Sequence, residues 1–386
     1  MTSLTISADP ATGRRPRRSG LAWNTWHQHR LALIGLGAVF AFFAIRLILT
    51  GLPLHATYAQ YLAHRCVTQR HPGCARLLNQ MGTGAEWVTS FPGMVVLPGL
   101  VGVFAGAPLI AREFENGTFR LAQTQGVRLR RQLAITLLII GAVVALGSCL
   151  LGLLAMWCLQ PFHRIALSPD SGISFWWPDY FNITAAMLPA WALLDFSLGA
   201  LAGAAIRRTV PAMAATLAAV IAIAVLGTGF AVLQQSATLT GRLLSIAPAA
   251  APATPLVGQL RFFEARSEVP AVAWPALRRT VNEVNAYPEG WPGPGGSVQV
   301  GGWFTGPGGH RLSVLAAQRM LNQIPVRVAP RPALLRQWLA ARHIRYWIGY
   351  QPASRYWLFQ GAAALLLIML AVAAAFGAVR LACRRT

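Results

Sequence analysis

There is no lysine anywhere in these 386 residues; all 33 basic side chains are arginine. A P-loop needs a lysine to reach the nucleotide phosphates, so this chain cannot hydrolyse ATP by that route. Acids are scarce too, eleven in all, and charged residues make up 11% of the sequence, where soluble domains carry roughly a quarter. That scarcity excludes an ordinary soluble domain. The five cysteines and eight histidines show no zinc-site spacing, and the nearness of His64 and His71 to Cys66 and Cys74 is only a weak metal signal. A net charge of +22 invites a nucleic-acid reading. The complete preference for arginine over lysine instead matches codon choice in a GC-rich genome, and the positions of the charges argue against nucleic acid.

What is present is hydrophobicity: 55% of the residues, with a mean hydropathy of +0.49. A bilayer core about 30 Å thick takes roughly 20 apolar residues of helix. Six stretches reach that length, at 31–49, 94–111, 133–159, 183–206, 210–233 and 357–379. Helices satisfy every backbone donor and acceptor without water. The expected fold class is therefore an all-α polytopic membrane protein with six transmembrane helices and a small α+β extracellular domain between the fifth and sixth. Its parts are a cytoplasmic tail with an interfacial helix (1–30) and spans one to five (31–233), with an external loop at 51–92 and a cytoplasmic segment at 112–131. The extracellular domain (234–356) and the sixth span with its tail (357–386) follow.

The arginines orient this arrangement. Fifteen fall in the N-terminal tail, the segment after the second span, the turn after the fourth and the C-terminus; the opposite short loops hold four, Arg65, Arg70, Arg76 and Arg164. By the positive-inside rule both termini and the 112–131 segment are cytoplasmic. Thirteen more lie in the long 234–356 loop, beyond the length over which the rule acts, and Arg46 can snorkel from the first span. The arginine pairs at 14–18 precede an apolar run too long for a signal peptide, which reads as a retained first span. On the outer side of the membrane Cys66 and Cys74 can oxidise to a disulfide across a seven-residue gap; the alternative is two unpaired thiols. In the external segment, 247–255 is expected to be an extended linker, SVQVGGWF a short strand pair, and 313–323 and 332–347 helices.

From Ala111 to Leu133 the chain reads AREFENGTFRLAQTQGVRLRRQL, a charged, helix-competent segment between two spans. Phe114, Thr118, Leu121 and Ala122 share a stripe at helical spacing, with Glu113, Asn116, Arg120 and Gln123 off it. Gly117 permits close approach of a partner, and Gly126 ends or kinks the helix. Such a stripe suits either a groove on a partner protein or the inner leaflet, and two acids fit an anionic surface less well. The segment resembles the cytoplasmic coupling segment of type-2 ABC exporter permeases, in particular an actinobacterial group with REFE-x-GT-x-RLA-x-TQ at this place. The matching residues are Arg112, Glu113, Phe114, Glu115, Gly117, Thr118, Arg120, Leu121, Ala122, Thr124 and Gln125. Three further strings resemble the same group: the W-x-x-W-x-Q-H-R stretch from Trp23 to Arg30, RRTVPAMAATLA from Arg207 to Ala218, and YQPASRYWLFQ from Tyr350 to Gln360. Physically these read as an interfacial helix, a tight cytoplasmic turn with Pro211 in the first turn of the next helix, and an aromatic belt.

The resemblance implies a permease subunit of the cell membrane that exports a hydrophobic or amphipathic compound. It is not itself an enzyme. ATP is hydrolysed by separate ABC ATPase subunits, and a second permease chain, identical or not, completes the assembly in the lipid bilayer. No cofactor, metal or nucleic acid is expected. ATPase docking is expected at Glu113, Phe114, Glu115, Gly117, Thr118, Leu121, Gln125 and Gly126. Within the spans Asp195 is the acid placed deepest, either lining a translocation path or held in an interhelical hydrogen bond. Gly102 and Gly106, and Gly199 and Gly203, have the spacing of close helix contacts, although 36 glycines produce such spacings by chance. The alternative class is a polytopic membrane enzyme with an extracellular catalytic domain. Glu264, Glu268, Glu283, Glu289, His310 and His343 are available to it, but they form no recognisable catalytic motif.

Overall fold

The computed structural model describes residues 19–66, 72–89, 94–115, 129–166, 176, 178–233, 249–252, 298–313, 315–316, 319–320, 323 and 337–384. Helix α1 (Ser19–Ala63) runs 45 residues without a break. At 1.5 Å per residue that is about 67 Å, more than twice the hydrocarbon thickness. The separate interfacial helix expected before residue 31 and the loop expected from residue 51 are both parts of it. Gly51, the expected start of that loop, is instead inside the helix and in tertiary contact. The Trp157 ring lies so close to Gly51 that a Cβ there would collide with it. One turn on, His55 stacks on the same indole with ring centroids 4.9 Å apart, its Nε2 2.9 Å from the Trp157 carbonyl oxygen.

Cys66 and Cys74 are disulfide-bonded with their Cα atoms 5.5 Å apart. Helix α2 (Pro72–Thr89) then runs back along α1. Its Met81, Ala85 and Val88 are buried with Phe43, Leu47 and Leu54. Trp87 meets Phe43 at 5.9 Å between centroids and lies 4.9 Å beneath the Arg46 guanidinium. Residues expected to form an external loop are thus a helical hairpin.

A 3-10 turn at Met94–Val96 leads into α3 (Leu97–Val101), a π-helical turn at Gly102–Gly106 and α4 (Ala107–Glu115). The Ala107 N–H reaches back five residues to the Gly102 carbonyl. There follow α5 (Leu129–Cys158), α6 (Gln160–Ala166), α7 (Pro178–Phe181), α8 (Met187–Ile206), α9 (Thr209–Leu233) and, after the sheet, α10 (Tyr356–Arg384). Helix α8 is apolar on every side and packs against α3, α4, α5, α9 and α10, as a helix in the middle of a bundle does.

Among the described residues, five stretches are long and apolar enough to cross a bilayer: Leu33–Ala63, Gly73–Glu115, Arg130–Cys158, Met187–Ile206 and Ala353–Arg384. Helix α9 is a further apolar helix, with side chains described as far as Ile223. Leu138, Leu146 and Leu150 of α5, Val210 and Ile221 of α9, and Leu365, Val372 and Phe376 of α10 are exposed on the outside of the bundle. Surface that apolar and that extensive suits lipid, not water.

The segment expected to be external differs from the sequence expectation in its pairing. Strands β1 (Ala249–Pro252), β2 (Val298–Thr305) and β3 (Arg345–Gln351) form an antiparallel sheet in the order β1-β3-β2. The expected linker at 247–255 therefore supplies a paired strand, with Ala249 opposite Tyr350. SVQVGGWF is one strand, not two; its Trp303 faces Trp347 across the sheet, and a bulge falls between Gln299 and Gly301. The helix expected over 332–347 is described only at 337–340, because RYWIGYQ, rich in aromatic and β-branched residues, is β3. Of the helix expected at 313–323, residues 315–316 and 319–320 are described and helical. A 3-10 turn at Ala353–Arg355 joins β3 directly to α10.

Candidate functional site

Two strings that lie far apart in sequence meet at one end of the bundle. Helix α8 stops at Ile206, and Arg207 takes the left-handed conformation with φ 61°, its N–H bonded to the Gly203 carbonyl at 3.0 Å. That reverses the chain within two residues, and α9 begins at Thr209 with Pro211 in its first turn, where the missing N–H costs nothing. The Glu115 carboxylate at the end of α4 accepts the Thr209 N–H at 2.9 Å and the Thr209 hydroxyl as well, across 94 residues of sequence. Beside it the Arg207 guanidinium lies 4.7 Å over the ring of Phe114.

Small residues bring these elements together. Ala107, Ala111 and Ala212 are buried against one another. A Cβ on Gly203 would stand 2.5 Å from the Ala107 carbonyl oxygen. The same contact continues up α8: a Cβ on Gly102 would lie 2.7 Å from the Asp195 carbonyl oxygen, and one on Gly199 would overlap the Gly102 carbonyl. The glycine spacings therefore mark a real backbone-to-backbone contact between the π-helical turn with α4 and α8.

Of the expected docking residues, Glu113 and Phe114 are half-buried and Glu115 is exposed. Phe114 packs against the cluster around Ile110 and Ala204. Phe114 and Glu115 direct their side chains to the Arg207–Thr209 turn of their own chain. Gly117, Thr118, Leu121, Gln125 and Gly126 lie outside the described residues. Asp195 is buried in α8, twelve residues and about 18 Å from Arg207 along the helix, so it does not belong to this junction.

A second polar tie sits at the opposite end of α8 and was not anticipated. Gln360 is fully buried; its amide donates to the Phe181 carbonyl and the Tyr356 hydroxyl, both at 2.9 Å, and accepts from the Thr184 hydroxyl at 2.5 Å. Trp176 and Phe181 meet the Tyr356 ring edge to face, at 5.2 and 5.7 Å between centroids. The signal lay in YQPASRYWLFQ, whose amide falls at the start of an apolar helix where only a satisfied polar group is tolerated. Thr209 also went unrecognised as a site residue, because RRTVP read as a turn and nothing local showed its partner.

Among the described residues no three of His, Cys, Asp and Glu group as a metal site. In the segment expected to be external, His310 and His343 are exposed, while Glu264, Glu268, Glu283 and Glu289 lie outside the described residues.

Apolar helices packed through glycine faces, with a polar junction between the end of α4 and the turn from α8 to α9, suit a multi-pass membrane protein. Residues 37–231, a stretch from the first span to near the end of α9 that contains the whole junction, match the family described as ABC-2 membrane transporter related. The chain belongs to that family and is a permease component of an ABC transporter. No curated protein and no solved structure matches it.

Proposed function

We propose that this chain is the membrane half of an exporter that moves a hydrophobic or amphipathic compound out of the cell, driven by ATP hydrolysed in separate ATPase subunits. The observation that carries this reading is the family match across the segment that ends in Glu115 and resumes at Leu129. Absence of lysine leaves ATP hydrolysis by a P-loop to a partner. Residues 112–131 are the coupling segment, with Glu113, Gly117, Thr118, Leu121, Gln125 and Gly126 at or near the docked surface, while Phe114 and Glu115, expected there too, are engaged by Arg207 and Thr209 of their own chain. Helix α9 serves as the fifth of six spans and α10 as the last, both termini are cytoplasmic, and 234–356 forms the outer domain. A second permease chain completes the assembly, and the translocated compound passes Asp195.

The experiment is to capture the tagged chain from native membranes and identify what accompanies it. An ATPase with a Walker motif should co-purify, and Leu121→Asp should lose it while still inserting, since leaving a charge buried without a partner costs about 3–5 kcal/mol. Capture of the intact chain without any ATPase would overturn the reading.

A further inference from the structure

Resting on that reading, we infer that Glu115 and Thr209 form a latch that passes the motion of the coupling segment directly to α9. They are positioning residues, and the argument begins with how α9 starts. The Arg208 carbonyl accepts the first helical bond from Ala212 at 3.0 Å, which makes Arg208 the residue at the capping position. An arginine side chain has donors only and cannot satisfy a helix N-terminus. The missing acceptor is imported from another helix: Glu115 takes both the N–H and the hydroxyl of Thr209. The start of α9 is therefore completed by the residue at which the described part of the second span ends.

The neighbouring contacts decide what such a tie transmits. Helices α4 and α8 are already locked by backbone contact at Gly203 and Ala107. Arg207 over Phe114 holds the reversal between α8 and α9 against α4. Helix α9 reaches α4 through Ala212 and the Glu115–Thr209 pair. The packed alanines resist approach but not separation along the helix, whereas two directed bonds to a charged acceptor resist both. A displacement of the chain immediately after Glu115 thus pulls on the first residue of α9 with no intervening segment.

The test uses the full chain with its co-purified ATPase, reconstituted in lipid, with Cys149, Cys158 and Cys383 replaced by Ala. Spin labels replace Leu146 on α5 and Leu217 on α9, both exposed on the bundle surface. The distance between them is measured with and without Mg-ATP and vanadate. Nucleotide should shift the distance in the parent. Glu115→Ala and the milder Thr209→Val should retain the ATPase and its hydrolysis but lose the shift, while Thr209→Ser, which keeps the hydroxyl, should restore it. An unchanged shift in Glu115→Ala overturns the latch. Loss of the ATPase itself from that variant also overturns it, because Glu115 would then be a docking residue. A parent that binds no ATPase, or shows no shift, instead defeats the exporter reading on which the latch rests.

Discussion

At the scale of residues, the glycines on the α8 contact are the most sensitive positions. Gly199 faces the Gly102 carbonyl and stands where a Cβ would be 2.8 Å from the Ala107 amide nitrogen, so Gly199→Ala has backbone, not a movable side chain, to displace. Overpacking of this kind costs about 1–3 kcal/mol. Gly35 on α1 has nothing within 4 Å of an added Cβ, and Gly35→Ala should be neutral or stabilise by up to about 1 kcal/mol through helix propensity. Thermal unfolding in detergent should separate the two in sign; equal behaviour would mean that the α8 contact is looser than described. Gln360→Leu should also destabilise, by about 1–3 kcal/mol, because it removes three hydrogen bonds in an apolar setting and leaves the Phe181 carbonyl only the long 3.5 Å bond from the Thr184 hydroxyl. The same melting assay reads it, and a variant as stable as the parent would show that these groups find other partners.

At the scale of elements, the hairpin of α1 and α2 is the main departure from a minimal six-span plan. Helix α1 continues past the length a bilayer needs, α2 runs back beside its far part, and packing of Met81, Ala85 and Val88 on Leu47 and Leu54 holds them side by side. The Cys66–Cys74 bond closes the tip, where the two helices would otherwise fray. Mass spectrometry of non-reduced protein should find one peptide pair cross-linked through these cysteines. Free thiols at both positions in freshly isolated membranes would show that the hairpin holds by packing alone. The sheet raises a related point: β3 is the central strand, so β1 and β2 cannot pair until residues nearly a hundred positions beyond β1 have been made.

At the scale of the whole molecule, the proposed orientation rests on the fifteen arginines on one set of short segments against four on the other. Single cysteine reporters at Gly84 and Gly301 should react with an impermeant reagent applied to intact cells, and one at Gly126 should not. Labelling at Gly126 would reverse or break the arrangement. In the proposed orientation the Glu115–Thr209 junction lies on the cytoplasmic side, where the proposed ATPase would dock, and the Gln360 network with the disulfide-tipped hairpin lies on the outer side.

The sequence by itself determined that the chain is a membrane protein, where its apolar helices lie, and that the 112–125 segment and the RRTVP turn are polar interruptions between them. Those properties are local: the bilayer sets a length, and any run of sufficient apolar residues meets it. Only the tertiary structure decided that Phe114 and Glu115 turn toward Arg207 and Thr209, that Gly51 admits an indole, and that an alanine-rich stretch becomes a sheet strand. Each of those depends on a partner tens of residues or more away. A hydrogen bond or a strand pairing is satisfied by whichever group the packing brings within 3 Å or so, which no local periodicity encodes.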